Sequence, residues 1–131
     1  MQIEFDASYS MGDVSGSAED LNRLARLVAG GEGAIDLLSS APVAGRRRLA
    51  GVEVRDTPGP GVLVHLDASR RVLMISGDAP ARAVLAENLR ETAGLDDGGH
   101  LHIEYFPDHY YLAEGSLALV VNSPHGGMPR R

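Results

Sequence analysis

Cysteine and lysine are both absent from this 131-residue sequence, and each absence excludes a class of chemistry. Without cysteine the chain has no disulfides, no thiolate metal ligands and no cysteine nucleophile. All twelve basic residues are arginine, so no side-chain amine is available for Schiff-base chemistry. A Gly-x-Ser-x-Gly motif is also missing, which leaves a serine-hydrolase elbow without a candidate. The segment from Gly30 to Gly33 is rich in glycine, but it follows a predicted helix and lacks the P-loop lysine, so it does not indicate a phosphate site.

Long apolar runs are missing as well. No stretch approaches the roughly 20 apolar residues that span a bilayer, and the mean hydropathy is −0.09. The first six residues alternate apolar with polar side chains, unlike the continuous apolar stretch of a secretory signal. The net charge of −6 disfavours binding to nucleic acid, because a phosphate-binding surface needs a concentrated positive field. These features predict a cytoplasmic protein that binds neither membranes nor nucleic acid.

The length of the chain is sufficient for one domain with its own hydrophobic core. The sequence contains no internal repeat and no linker long enough to divide it. Residues 122–131 contain glycine, proline, serine and charge without periodicity. We therefore expect a single α+β domain over residues 1–121 and a poorly ordered C-terminal tail over residues 122–131.

Two segments combine the start signal, apolar spacing and stop signal of an amphipathic helix. Ser17 is a capping residue for the first helix, which Gly30 and Gly31 end. The second helix follows Asp78, has Pro80 in its first turn and ends at Gly94. The residues predicted to face the core are Leu21, Leu24, Ala25 and Val28 in the first helix, and Ala81, Val84, Leu85 and Leu89 in the second.

Period-two alternation and short apolar runs predict strands elsewhere in the chain. Predicted strands lie at the N-terminus and over residues 34–38, 49–55, 62–66, 71–75, 100–106 and 117–121. Four residues separate the strands at 62–66 and 71–75, which favours a hairpin that we place at the centre of the sheet. The composition from Tyr9 to Gly16 favours a loop. The fold class is thus α+β, with a mostly antiparallel sheet of about six to seven strands and two helices packed on one face.

The segment from His100 to Leu112 contains the strongest candidates for chemistry. On a strand, His100, His102 and Glu104 would line one face. Two imidazoles and a carboxylate at this spacing could bind zinc or non-haem iron if His109 or Asp108 folded back after the proline turn. The alternative is the polar, solvent-facing or partner-facing side of an amphipathic strand, and it is the interpretation that we favour. We expect no metal and no cofactor.

Aromatic residues are concentrated in the same segment. Tyr105, Phe106, Tyr110 and Tyr111 are four of the six aromatic residues in the chain. Tyrosine is common at binding hot spots, but a local core cluster around the proline would give the same pattern, and both interpretations stay open. The basic run Arg46-Arg47-Arg48 could pair with an acidic partner, although a run of three charges is more often a solvated loop or strand end.

The run from His100 to Ser116, followed by Leu117 to Val121, resembles the C-terminal signature of the immunity protein 32 family. The hairpin and helix from Val62 to Gly94 are similar to that family in order and spacing, so the resemblance lies mainly over residues 62–121. The family comprises small actinobacterial proteins assigned to polymorphic toxin systems. The resemblance implies a non-enzymatic protein that binds and neutralises a cognate toxin domain. The acidic net charge suits a basic target such as a nuclease. We expect the chain to be a monomer or a homodimer.

If the chain is an immunity protein, its partner should contact the surface richest in aromatic and acidic side chains. The predicted partner-binding residues are Glu104, Asp108, Tyr110, Tyr111 and Glu114. Two other classes stay open at this point. One is a metal-binding protein or metal-dependent enzyme that uses His100, His102, Glu104 and His109, and the other is a regulatory domain that dimerises through a sheet edge.

Overall fold

Two helices and nine strands make up the part of the chain that the computed structural model describes, residues 1–37, 46–95, 99–109 and 111–123. The elements in chain order are β1 (Gln2–Asp6), β2 (Met11–Ser15), α1 (Ala18–Gly30), β3 (Glu32–Asp36), β4 (Arg46–Arg48), β5 (Gly51–Asp56), β6 (Val62–Asp67), β7 (Val72–Gly77), α2 (Ala79–Ala93), β8 (His100–Ile103) and β9 (Ala118–Asn122). The predicted α+β class is confirmed. Residues 124–131 of the predicted tail lie outside the described residues.

The strands form two sheets, where the sequence predicted one. Sheet A has the order β4-β1-β2-β9-β8, and sheet B has the order β3-β5-β7-β6. Five of the strand pairs are antiparallel, and the parallel pairs are β2 with β9 and β5 with β7. The predominance of antiparallel pairing is therefore confirmed. Periodicity identifies strands but not their partners, so it does not reveal how strands divide between sheets.

The two halves of the chain share one order of elements. Each half contains an antiparallel strand pair, a helix and a second antiparallel pair: β1-β2, α1 and β3-β5 in the first, then β6-β7, α2 and β8-β9 in the second. Each sheet takes one antiparallel pair from each half, and the halves meet at the two parallel pairs. The fold is thus a topological duplication without a sequence repeat, and β4 is an addition at the edge of sheet A.

Capping residues at both ends determine the extent of α1. The Ser17 Oγ accepts a hydrogen bond from the Asp20 amide at 3.0 Å, and the Asp20 carboxylate accepts one from the Ser17 amide at 3.1 Å. The hydrogen bond from the Ser17 backbone, with the nearby N-terminal ammonium of Met1, lowers the pKa of Asp20. At the other end Gly31 adopts a φ of 90°, where a residue without a Cβ is favoured. The predicted core stripe from Leu21 to Val28 is buried as expected.

Helix α2 begins and ends as predicted, but its buried face differs from the prediction, since Val84 is only partly buried. Pro80 lies in the first turn and Gly94 follows the last, while Leu85 and Leu89 are buried. Asp78 occupies the N-cap position, and its carbonyl accepts a hydrogen bond from the Arg82 amide at 3.0 Å. Its side chain does not cap the helix, and its carboxylate instead accepts a hydrogen bond from the Gly61 amide at 3.3 Å. Arg82 is also buried, and no pattern in the sequence predicted its burial.

One continuous core joins the helices to the inner faces of both sheets. The helices pack against each other, and α2 also contacts β7 of sheet B and β8 and β9 of sheet A. The sheet residues in this core include Ile3, Val14, Ile103, Leu119 and Val121 from sheet A, and Val52, Val54, Val64, Leu73 and Ile75 from sheet B. The hairpin β6-β7 is confirmed, and β7 lies inside sheet B as predicted. The prediction that the pair lies at the centre is wrong for β6, which is an edge strand of sheet B.

Two predicted boundaries were wrong. Residues 11–15, predicted as loop, form β2, because β1 pairs with them on one side and β9 on the other. The predicted strand over residues 100–106 ends at Ile103, after which the chain leaves the sheet before Pro107. The basic run Arg46–Arg48 forms the edge strand β4 alongside β1.

Neither described helix is both long enough and apolar enough to cross a membrane.

Candidate functional site

Residues 104–117, which we call the strap, connect β8 to β9 and cross from sheet A to the edge of sheet B. The strap lies along β6, the edge strand of sheet B. The Val62 amide donates to the Tyr111 carbonyl and the Ala113 amide donates to the Val62 carbonyl, both at 2.7 Å. Further along, the Leu117 amide donates to the Val64 carbonyl at 2.8 Å. Backbone hydrogen bonds therefore fix the second half of the strap and protect the edge of sheet B.

His109 fixes the turn in the middle of the strap. Its Nδ1 accepts hydrogen bonds from the amides of Tyr111 at 3.2 Å and Leu112 at 3.0 Å. Its ring contacts the rings of Phe106 and Tyr111, with centroid separations of 4.8 and 4.7 Å. Burial lowers the pKa of the imidazole. A neutral ring with an unprotonated Nδ1 is the form that these two amide hydrogen bonds require.

The predicted partner-binding residues divide into exposed and buried groups. Glu104, Asp108 and Glu114 are exposed on the strap, and Asp108 has a φ of 71°. Tyr111 is only 4% exposed, and its hydroxyl accepts a hydrogen bond from the Asn88 side chain of α2 at 2.9 Å. Of the two interpretations of the aromatic residues, a binding surface or a local core cluster, Tyr111 fits the core cluster. Tyr110 lies outside the described residues.

The alternative metal site is not assembled. His100, His102 and Glu104 alternate with the inward-facing Ile103 as predicted, and the His102 Nε2 lies 3.6 Å from the Glu104 Oε1. His109 is instead engaged through Nδ1 with the backbone of the strap. Within the described ranges, no three histidine, aspartate or glutamate side chains lie close enough together to hold a metal ion.

A groove beside the strap contains residues that the sequence analysis missed. It has a volume of about 330 Å³ and is lined by Tyr9, Met11, His102, Glu104 and Ala118. Tyr9 is 74% exposed and Phe106 of the strap is 56% exposed, and these are the exposed large hydrophobic side chains of the described residues. The one local sign that Tyr9 could belong to a binding site is its position between two serines in a turn. Nothing near it in the sequence indicated which part of the chain it would face.

The fold and this site define a small two-sheet α+β protein whose most distinctive surface is an anchored strap with exposed acidic and aromatic side chains. Residues 72–124 match the family model of immunity protein 32. The matched segment covers less than half of the chain and contains β7, α2, β8, the strap and β9. The resemblance identified in the sequence is confirmed over this segment. No curated protein and no solved structure matches the chain.

Proposed function

We propose that this protein is an immunity protein that binds a cognate toxin domain and neutralises it by protein–protein interaction. The match of residues 72–124 to the immunity protein 32 family is the observation that carries the proposal. An immunity protein in general has a protein partner, so recognition surfaces matter more here than catalytic groups. We propose that it acts without catalysis, in the cytoplasm of the producing cell.

The strap supports this proposal because it combines exposure with a fixed backbone. Its exposed side chains include Glu104, Phe106, Asp108 and Glu114. The hydrogen bonds to β6 and to His109 hold the second half of the strap in place before any partner arrives. In the first half, the His109 amide donates to the Phe106 carbonyl at 2.9 Å and closes the turn that contains Asp108. Binding to a preorganised loop loses less conformational entropy than binding to a loop that must become ordered. We propose that these residues, with Tyr110, form part of the contact surface.

The charge of the chain suggests the nature of the toxin. The net charge is −6, and three of the exposed strap residues are carboxylates. An acidic inhibitor suits a basic target, because complementary charge accelerates encounter and helps to select the partner. A nuclease toxin, which needs a basic surface to bind its own substrate, fits this requirement.

Co-expression with the toxin domain encoded by the neighbouring gene tests the function. We expect the wild-type chain to restore growth and to co-purify with the toxin domain. Asp108→Asn and Glu114→Gln should each weaken binding, and together they should lower affinity by about tenfold, since each removes a charge from the contact surface. Asparagine is the appropriate replacement at Asp108 because it tolerates the positive φ.

Glu91→Gln provides the matched control, since it removes one carboxylate from an exposed position on α2 outside the strap. It should bind as tightly as wild type. If the wild-type chain neither restores growth nor co-purifies, the immunity function is refuted. If wild type succeeds and the strap variants bind equally well at matched expression, the function stands and the placement of the contact surface is wrong.

A further inference from the structure

The groove on the outer side of sheet A brings together two distant parts of the chain. Met11 and Ala118 lie directly opposite each other on the parallel strands β2 and β9. Ile103 pairs with Leu119, which brings Glu104 level with Ala118 where β8 ends. Tyr9 comes from the β1-β2 turn at the same end of the sheet. The groove thus combines the N-terminal hairpin with the segment that matches the immunity family.

The chemistry of the groove favours a long side chain with an apolar stem and a positive end. Met11 and Ala118 offer a thioether and a methyl group to an aliphatic stem. Tyr9, which is 74% exposed, offers an aromatic ring. Glu104, whose side chain is 69% exposed, offers a carboxylate, which lies 3.6 Å from the Nε2 of His102 on the same groove wall. Aromatic rings and carboxylates both attract cations, and arginine or lysine packs its methylene stem along apolar surface. A phosphate would meet the Glu104 carboxylate, and the described residues that line the groove include no arginine to pair with it.

Tyr9 is held in position by the turn that carries it. The Asp6 carboxylate accepts a hydrogen bond from the Ser8 amide at 3.0 Å, and the Asp6 carbonyl accepts one from the Tyr9 amide at 3.3 Å. Ser10 follows with a φ of 50°, which returns the chain to β2. An exposed aromatic side chain on an ordered turn has the character of an interface anchor, because little backbone freedom is lost when a partner binds.

We infer that this groove receives an arginine or lysine side chain of the partner protein, with Glu104 pairing with the cation and Tyr9 packing against it. This inference rests on the proposed function, since it assumes that the partner is the toxin domain. It adds a second contact region, the β1-β2 turn, that lies outside the family segment. Phe106, two residues beyond Glu104 and 56% exposed, would extend the same contact along the strap.

Calorimetric titration with the neighbouring toxin domain tests the inference. We expect Glu104→Gln to weaken binding about tenfold and Tyr9→Ala to weaken it by ten- to thirtyfold. Tyr9→Phe keeps the ring and should bind nearly as tightly as wild type. Added salt should weaken the wild-type complex more than the Glu104→Gln complex, because the variant lacks the charge pair.

A double-mutant cycle identifies the occupant of the groove. Each surface arginine or lysine of the toxin domain is changed to glutamine and paired with Glu104→Gln. One of these changes should be strongly non-additive with Glu104→Gln, as expected for two groups in direct contact. Glu91→Gln serves as the control in the same cycles, and its effect on binding should be additive with that of every arginine or lysine substitution in the toxin domain.

The outcomes separate this inference from the function on which it rests. If wild type binds the toxin domain but Glu104→Gln and Tyr9→Ala bind equally well, or no basic residue couples to Glu104, the groove is not the site and the immunity function stands. If wild type does not bind, both proposals fail together. Both positions are exposed, so unchanged melting temperatures should show that the variants are folded.

Discussion

The guanidinium of Arg82 in α2 forms hydrogen bonds with the C-terminal end of α1. Its side chain is 4% exposed. The Nε donates to the Gly77 carbonyl at 2.9 Å, and Nη1 donates at 3.0 Å to the carbonyls of Val28 and Ala29 in the last turn of α1. Nη2 forms an ion pair with Asp56. A positive charge at this position complements the negative end of the α1 dipole and provides partners for carbonyls that the helix leaves free.

We predict that Arg82→Met lowers the free energy of unfolding by about 3 kcal/mol. The loss comes from buried carbonyls that would have no donor, while the apolar volume is largely kept. Asp56→Asn serves as the comparison, and it should cost less than about 1 kcal/mol because Asp56 is 58% exposed and its ion pair is screened by water. Urea denaturation measures both. Equal stability of Arg82→Met and wild type would show that these hydrogen bonds contribute little.

At the scale of elements, the two helices depend on each other for their burial. Each has an apolar stripe at helical spacing, and the stripes meet in the shared core. Leu24 of α1 and Leu85 of α2 are almost completely buried. Helices of this length are marginal in water alone, so tertiary packing supplies most of their stability.

Leu24→Ala and Leu85→Ala should each destabilise the protein by roughly 2–5 kcal/mol, since each removes buried methyl groups and leaves a cavity. Thermal unfolding followed by circular dichroism measures the loss. Arg23→Ala, at an exposed position of α1, should change stability by less than about 0.5 kcal/mol. An unchanged melting temperature in both leucine variants would mean that the helix faces are wrongly assigned.

At the scale of the whole molecule, shifted pKa values make stability depend on pH in two separate ranges. Burial lowers the pKa of His109 below its ordinary value of 6.5. Among the carboxyl groups, hydrogen bonds from Arg70 and Ser69 lower the pKa of Asp67 from 3.8 to about 2, and Arg70 also lowers the pKa of Glu53. A lowered pKa means that the native state binds fewer protons than the unfolded state. Each group therefore stabilises the fold fully above its unfolded pKa and loses that contribution as the pH falls.

We predict that the melting temperature is constant from pH 9 to about pH 7, falls as the pH drops below about 6.5, and falls again below about pH 4. His109→Asn should reduce the first decrease, because asparagine offers an acceptor to the Tyr111 and Leu112 amides without binding a proton. His65→Gln, at an exposed position on β6, should show the same first decrease in melting temperature as wild type. A first decrease of equal size in His109→Asn would assign the effect to another group.

Local signals in the sequence determined the elements whose causes lie within a few residues. The helix ends follow from Ser17, Gly31, Pro80 and Gly94, since capping depends on side chains next to the helix. The β6-β7 hairpin follows from alternation and a four-residue turn. The motif from residue 100 onward also predicted the family resemblance, because it depends on the order of residues alone.

Tertiary structure decided the features that depend on distant partners. Residues 11–15 form an interior strand because β9, more than a hundred residues later in the chain, pairs with them on the side opposite β1. Arg82 is buried because the last turn of α1 lies against it, and Tyr111 is buried because the strap follows β6. The groove exists because the topology places Tyr9 beside Glu104. Periodicity and capping are local properties, whereas pairing and burial depend on which segments meet, and that choice is made by the packing of the whole chain.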